Sequence, residues 1–216
     1  MKIEMGESLF YSWLRHIKGC QLVQTNWKAS PNWVLHNEDQ LTEIMEKASV
    51  VYINVFGLDI IGKTRKLSQF LRQAECDALG ITTGSGINKI TAVDVAFHRD
   101  GLLYGSTRET VEKVMEKCIR NAMCIYGYLG SNDADIFFAA PKISDRIMQL
   151  LEPSIEELQR ITDEMGFSFH FQVIANNAFN QMVLKPVLDL SHNVADTTEL
   201  FLRSYQMTTM FQGKVT

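Results

Sequence analysis

Two short strand-like segments joined by a turn-forming connection constrain this chain more than any other feature. The first is Ala74-Glu75-Cys76-Asp77-Ala78-Leu79-Gly80-Ile81, and the second is Ile90-Thr91-Ala92-Val93-Asp94-Val95-Ala96-Phe97-His98. Residues 82–88 between them are rich in types that tolerate turn conformations. The pattern therefore predicts an antiparallel β-hairpin.

Each strand carries an aspartate, Asp77 or Asp94, where a buried strand favours Val or Ile. A carboxylate removed from water must be paired or metal-bound, so strands are depleted in aspartate. Alternation places Asp94 on one face with His98 and two alanines, and it places Asp77 on one face with Glu75. If the register aligns these faces, three carboxylates and one imidazole line a single cleft.

Such a cleft suits a divalent cation, Mg2+ or Mn2+, because hard cations take carboxylate oxygens and keep several waters. We therefore expect Asp77, Asp94 and Glu75 to be metal ligands. The alternative is that both aspartates are hydrogen-bonded near strand ends or lie at an exposed sheet edge.

These segments resemble a known family. The string AECDALGI, a short hairpin, the string ITAVDVAFH and a long basic helix look like the PD-(D/E)XK superfamily of restriction-endonuclease-like nucleases. The resemblance spans roughly residues 63–143 by motif order. It implies that Asp77 and Asp94 bind a metal ion for phosphodiester hydrolysis. The chain departs from the motif at Ala96, where the family has a lysine that helps to position or activate the attacking water.

Other residues can supply the missing positive charge. His98 lies two residues beyond Ala96 on the same face, and an ordinary pKa of about 6.5 lets it act as a base or a metal neighbour. Lys113, Lys117 and Arg120 follow on one face of the next helix. The alternatives are a strand-end histidine bonded to backbone and a solvated helix face.

The candidate site therefore contains both acids and positive groups. The catalytic candidates are Asp77, Asp94, His98 and Lys113, and Glu75 or Glu7 assists them.

Composition sets the class of protein. The chain has 216 residues, of which 46% are hydrophobic and 21% charged, as in ordinary globular proteins. We expect a single domain over residues 1–216. The net charge of −4 argues against a sequence-independent DNA coat, which usually shows a basic footprint. A nuclease with one locally basic groove is compatible with this charge, so nucleic acid stays a candidate partner.

Cysteine and targeting patterns predict a soluble, cytoplasmic protein. The cysteines at positions 20, 76, 118 and 124 lack the spacing of a structural zinc site and fit a reducing compartment. We find neither a signal-peptide pattern nor a run of about 20 apolar residues that would cross a bilayer. Ten methionines suit core filling or an adaptable subunit interface, which leaves a homo-oligomer such as a homodimer open.

Periodicity along the chain predicts an α/β fold: a mixed β-sheet of four to six strands with a central acidic hairpin, flanked by helices on both faces. Residues 135–140 are too apolar for an exposed strand and are placed centrally. A capping box at residues 106–109 starts the helix after the hairpin. Residues 38–48 are predicted to be helical, and residues 49–55 a short buried strand or a helical extension. We expect Pro153 to interrupt a helical region at 144–165.

A second functional hypothesis comes from Gly57-Leu58-Asp59-Ile60-Ile61-Gly62-Lys63-Thr64, which matches the phosphate-loop pattern G-x4-G-K-T. A strand-like stretch precedes it and a helical stretch follows, as a P-loop-like nucleotide-binding protein requires. Against this, Asp59 places an acid against the phosphates, and the intervening residues are bulky for a cradle.

A loop flanked by Trp27 and Trp33 contains Lys28 and Pro31. Indoles near a lysine can stack on bases, although such tryptophans also anchor loops to a core or a partner. Three functions thus remain open: a Mg2+-dependent nuclease, a nucleotide-binding protein, and a non-catalytic interaction or scaffold protein that retains the nuclease fold.

Overall fold

A mixed β-sheet forms the centre of the computed structural model, which describes residues 5–62, 66–84, 87–194 and 197–210. Within these residues the sheet has five strands in the order β1-β2-β3-β4-β5. The strands are β1 Leu22–Trp27, β2 Cys76–Gly84, β3 Ile87–Val95, β4 Asp133–Ala140 and β5 Ser168–Ala175. The predicted α/β class, with a mixed sheet and helices, is confirmed.

Strand direction changes once across the sheet. β1, β2 and β3 are antiparallel neighbours, and β3, β4 and β5 are parallel neighbours. The β2–β3 hairpin extends further toward its turn than the sequence suggested, because Thr82, Thr83 and Gly84 pair with residues 87–89. β3 ends at Val95, so His98 lies in the following loop.

Helices cover both faces of the sheet. They are α1 Met5–Ser12, α2 Glu38–Val55, α3 Leu67–Arg72, α4 Thr107–Leu129, α5 Asp145–Glu164, α6 Asn176–Phe179, α7 Lys185–Leu190 and α8 Leu200–Met210, with π-helical segments Trp13–Ile17 and Asn180–Leu184. One buried cluster joins α2, α4 and α5 to the sheet, and a second joins α1 and the C-terminal helices to its other face. β4 contributes Ile136 and Phe138 to the first cluster and Phe137 and Ala139 to the second. Since both faces are covered, its apolar run needs no alternation.

Helix α4 crosses from the end of β3 to the start of β4 and carries the side chains that matter most below. The predicted capping box is present: Ser106 accepts from the Glu109 amide, and Glu109 accepts from the Ser106 amide. The helix ends at Gly130, whose φ of 68° lies in the left-handed region that favours glycine.

One open alternative is decided and one element prediction is corrected. Residues 49–55 are the helical extension and not the strand, since they continue α2 to Val55, where Val50, Ile53 and Val55 are exposed. Pro153 does not interrupt α5, which runs unbroken past it. The Ser154 carbonyl one residue later accepts a hydrogen bond from the buried Tyr52 hydroxyl of α2.

Helix α8 is attached to α1 through a buried carboxylate, that of Glu199. Its Oε2 accepts from the Ser12 hydroxyl at 2.6 Å, and its Oε1 lies 3.2 Å from Arg15 Nη1 and 2.9 Å from His16 Nε2. Leu202 supplies the buried apolar contact of the same helix. No described helix has the length and apolarity that crossing a membrane requires.

Candidate functional site

Neighbouring strands bring Asp77 and Asp94 side by side. Ala78 of β2 pairs with Val93 of β3, and Asp77 and Asp94 are the next residues beyond this pair on their strands. The two carboxyls are close enough for the charge of Asp94 to raise the pKa of Asp77. The two aspartates therefore lie near each other at this end of the hairpin.

Asp94 is buried and fully engaged by α4. Its side chain is 2% exposed, and its Oδ1 lies 2.9 Å from Lys117 Nζ. Its Oδ2 accepts from Asn121 Nδ2 at 2.5 Å. Lys117 and Asn121 are four residues apart and share one helix face, so a single helix supplies both donors. The face of β3 that carries Asp94, with Ala92 and Ala96, is the face that packs against α4.

Asp77 is partly buried and has a different environment. Its Oδ2 accepts from the Val95 amide at 2.7 Å, across the end of the β2–β3 pairing. Burial and the neighbouring Asp94 carboxylate raise the pKa of Asp77 to about 7, although Lys117 and the Val95 amide act in the opposite direction. Asp77 therefore titrates near neutral pH.

Charge within the cluster is shared among three groups. Burial raises the pKa of Asp94 as well, against the opposing effect of Lys117 and Asn121. Burial lowers the pKa of Lys117, but Asp94 and Asp77 outweigh it and raise that pKa above the ordinary value. Because Asp94 has two strong side-chain donors, we assign the titrating proton to Asp77. Lys117 then balances the negative charge of Asp94. Ionisation of Asp77 adds a second negative charge that Lys117 does not balance.

Glu7 borders the cluster from α1. It is buried in the first turn of this helix, and its Oε2 accepts from Asn26 Nδ2 at 2.5 Å. Asn26 lies opposite Asp77 in the β1–β2 register and has a φ of 53°, a left-handed conformation that asparagine tolerates. A side chain at Gly6 would meet Val95 at 3.2 Å, so the glycine lets α1 approach β3 closely. Glu7 adds a smaller contribution that raises the pKa of Asp77.

His98 and Tyr104 extend the cluster toward solvent. The His98 ring packs edge-to-face on Tyr104, with centroids 5.3 Å apart. Burial raises the pKa of Tyr104, and the charges of Lys117, Asp94 and Asp77 also act on it. His98 thus lies beside the cluster, one aromatic ring away from its charged groups.

Other predicted residues are placed elsewhere. Glu75 precedes β2, is 44% exposed in its side chain and forms an ion pair with Lys28 at 3.0 Å. Lys113 is 60% exposed and pairs with Glu116 at 2.9 Å. Arg120 is buried, contacts Glu116 and stacks over Phe70 with 4.6 Å to the ring centroid. Of the predicted basic stripe, Lys117 is thus the member that the fold brings to Asp94.

Sequence reasoning missed Asn121 and Tyr104. Asn121 had a usable signal, because it continues the spacing of Lys113 and Lys117 and is a polar residue on an otherwise apolar inward face. Tyr104 lies in the loop before α4, where no periodicity marks a residue as functional.

Two carboxyl groups are the candidate ligands for a divalent cation of the magnesium type. Among the described residues, no three His, Cys, Asp or Glu side chains are grouped so as to hold a metal ion. Mg2+, however, is usually bound through one or two carboxylates and keeps several waters. Asp77, which ionises reluctantly, and Asp94 provide carboxylate oxygens, and Lys117 bound to Asp94 provides one positive charge.

The phosphate-loop segment lacks the predicted context. Its strand-like approach is the end of α2, and Leu58, Ile60 and Ile61 are buried in the core. Lys63 and Thr64, the residues that would contact a phosphate and a metal ion, lie outside the described residues.

Comparison with known proteins gives no assignment, since no family model, curated protein or solved structure matches this chain.

Proposed function

We propose that this chain is a restriction-endonuclease-like protein that holds Mg2+ or Mn2+ with Asp77 and Asp94 and hydrolyses phosphodiester bonds of nucleic acid. The observation that carries the proposal is the proximity of two carboxyls at the end of the β2–β3 pairing, with Lys117 bound to one of them. Perturbed carboxyls beside a specific charge partner are characteristic of functional sites.

Each residue has a definable task in this reaction. Lys117 takes over the positive charge that the resemblance assigns to the position of Ala96, although it comes from α4. Asn121 fixes Asp94 Oδ2, so the carboxylate cannot rotate freely. Because Asp77 Oδ2 accepts from an amide, its exchangeable proton belongs on Oδ1. A bound divalent cation supplies charge neutralisation of the phosphate and a more acidic water.

Binding of the cation must compete with the proton on Asp77. A ligand carboxyl has to be ionised, so cation binding releases protons when the ligand pKa is near the working pH. With a pKa of about 7 for Asp77, affinity for Mg2+ should rise with pH up to about neutrality and level off above it. This behaviour follows from the charge deficit of the cluster.

The test is cleavage of plasmid DNA and of single-stranded DNA and RNA in Mg2+ or Mn2+. The proposal predicts cleavage that EDTA abolishes and that D77N, D94N and K117M each reduce by about 100-fold or more. The matched control is K113M, which removes a lysine of the same helix that pairs with Glu116 and should leave the rate unchanged. Circular dichroism establishes that each variant is folded. Metal-dependent cleavage that survives in folded D94N and K117M would contradict the assignment.

A second candidate is a non-catalytic interaction protein with the same fold. It is favoured by the full engagement of Asp94, whose two oxygens both have side-chain donors, and by the amide donor of Asp77. In that case the Asp94–Lys117 pair is structural. Nucleic acid would then remain intact in every metal tested, while K117M would still lower stability.

A further inference from the structure

An open cavity of about 330 Å³ lies apart from the carboxyl cluster, between the loop after β1, helix α3 and the end of α4. Trp33, Tyr128 and Arg72 line it, with Ser68 and Glu38 at its polar side. Its volume is within the range of small-ligand sites, which are typically about 300–1,000 Å³. The cavity thus combines aromatic rings with an arginine on a chain whose net charge is −4.

Trp33 differs from the other two tryptophans of the chain. Trp13 and Trp27 are 2% and 5% exposed, whereas Trp33 is 46% exposed. Its ring is supported from behind by Trp27, with centroids 6.1 Å apart, and flanked by Tyr128 at 6.3 Å. The indole is therefore held by packing and still presents surface to a ligand. A supported, half-exposed ring is suited to stacking with another planar ring.

Polar groups at the rim match a nucleotide. Arg72 is exposed, and its positive charge acts on the Tyr128 phenol. Burial raises the pKa of Tyr128, and the charge of Arg72 acts to lower it. A guanidinium can pair with a phosphate or stack on a base. Glu38 also lines the cavity and can accept a hydrogen bond from an exocyclic amino group, as carboxylates do with cytosine.

We propose that this cavity binds an unpaired base of a nucleic-acid strand, with Trp33 as the stacking surface and Arg72 at the adjoining phosphate. Trp27, which supports Trp33, pairs in register with Cys76, the residue before Asp77. The support of Trp33 is thus linked through the β1–β2 pairing to the strand end that carries the carboxyl cluster. The inference rests on the proposed function, because it names single-stranded nucleic acid as the substrate class of that site.

The test measures binding in EDTA, so that it does not depend on cleavage. A fluorescently labelled oligodeoxycytidine of about a dozen nucleotides, whose bases carry the exocyclic amino group that Glu38 can accept from, is titrated with the protein, and anisotropy gives the affinity. In a parallel titration of unlabelled oligonucleotide, quenching of protein fluorescence reports contact with Trp33, the exposed indole. The same measurements are made with a duplex and with a free mononucleotide.

We expect the single strand to bind more tightly than the duplex or the mononucleotide, with affinity that falls as salt rises. W33A should weaken binding by about 5- to 100-fold, the range that loss of one stacked base produces. W33F should retain most of the affinity, and R72A should weaken it and reduce its salt dependence. The matched control is V34A, because Val34 is 70% exposed beside Trp33 but does not line the cavity.

Three results would overturn the inference: equal binding by W33A and wild type, equal affinity for duplex and single strand, or fluorescence quenching by a proline-rich peptide and not by the oligonucleotide. Failure of the proposed function looks different. If W33A weakens binding but no metal supports cleavage, the base site stands without the nuclease. If cleavage depends on Asp94 but W33A binds normally, the nuclease stands without this site.

Discussion

Removal of the Lys117 charge tests whether the buried carboxylate of Asp94 depends on it. In K117M the methionine preserves much of the apolar stem, so the change is mainly electrostatic. Asp94, with a side chain that is 2% exposed, then keeps Asn121 as a donor but loses its ion-pair partner, and the charge of Arg120 is the positive charge that still acts on it. It must either remain ionised in the core or take up a proton on folding.

The free energy needed to protonate Asp94 on folding sets an upper limit on the stability that K117M loses. With an unfolded pKa of about 3.9, holding Asp94 neutral at pH 7 costs about 4 kcal/mol, at about 1.4 kcal/mol per pH unit. Lys117 is 33% exposed, so water can enter its place and lower the cost. We therefore expect K117M to lose about 2–4 kcal/mol at pH 7 and no more than about 1.5 kcal/mol at pH 5. The loss grows with pH because Asp94 stays protonated in folded K117M but loses its proton in the unfolded chain above about pH 4.

Urea unfolding at pH 5 and pH 7, followed by circular dichroism, measures both free energies of unfolding. K113M provides the control, since Lys113 is 60% exposed and its pair with Glu116 should contribute less than about 1 kcal/mol. The double variant D94N/K117M should recover part of the loss, because no buried charge is then left unpaired. Equal losses for K117M and K113M, or a K117M loss that does not change with pH, would refute the reasoning.

Three further predictions concern neighbouring features. Since the pKa of Asp77 is raised, this residue should lower wild-type stability by about 1–4 kcal/mol as pH rises from about 4 to about 7. In urea unfolding at several pH values, D77N should remove this loss, because its amide oxygen can still accept from the Val95 amide. An unchanged pH dependence in D77N would contradict this. E199Q should cost about 1–3 kcal/mol and speed proteolysis near α8, because it weakens buried hydrogen bonds to Ser12, Arg15 and His16; cleavage rates equal to wild type would argue against it. S106A should lower the free energy of unfolding by about 1 kcal/mol through loss of the α4 cap, whereas S106T should not. An S106A variant as stable as wild type would show that the cap is dispensable.

The fold was largely predictable because local signals agreed with packing. Alternation in β3 placed Val93 and Val95 on one face and Asp94 on the other, and the structure has the same division. The capping box fixed the start of α4 in the same way. Local signals left the structure open where tertiary contacts decided. Residues 49–55 have β-branched side chains that fit a strand as well as a helix, and they continue an already nucleated helix whose other face packs on the core.

The site was only partly predictable from sequence. The two aspartates stood out because a charge in a strand needs a reason, and the end of the hairpin does bring them near each other. The identity of their basic neighbour did not follow, since Lys113, Lys117 and Arg120 share one face of α4. The position of α4 along β3 in the folded protein decides that Lys117 is the residue that contacts Asp94. Glu75 failed to join the cluster because β2 starts one residue after it and Lys28 pairs with it outside.

The most direct test of the central claim, that Asp77 and Asp94 together bind one divalent cation, is anomalous diffraction from crystals soaked in Mn2+. We predict a single anomalous peak between the two carboxylates in wild-type crystals at pH 8, weaker below pH 6 and absent in D77N. A wild-type map at pH 8 with no peak at these carboxylates, or with the peak unchanged in D77N, would contradict the account.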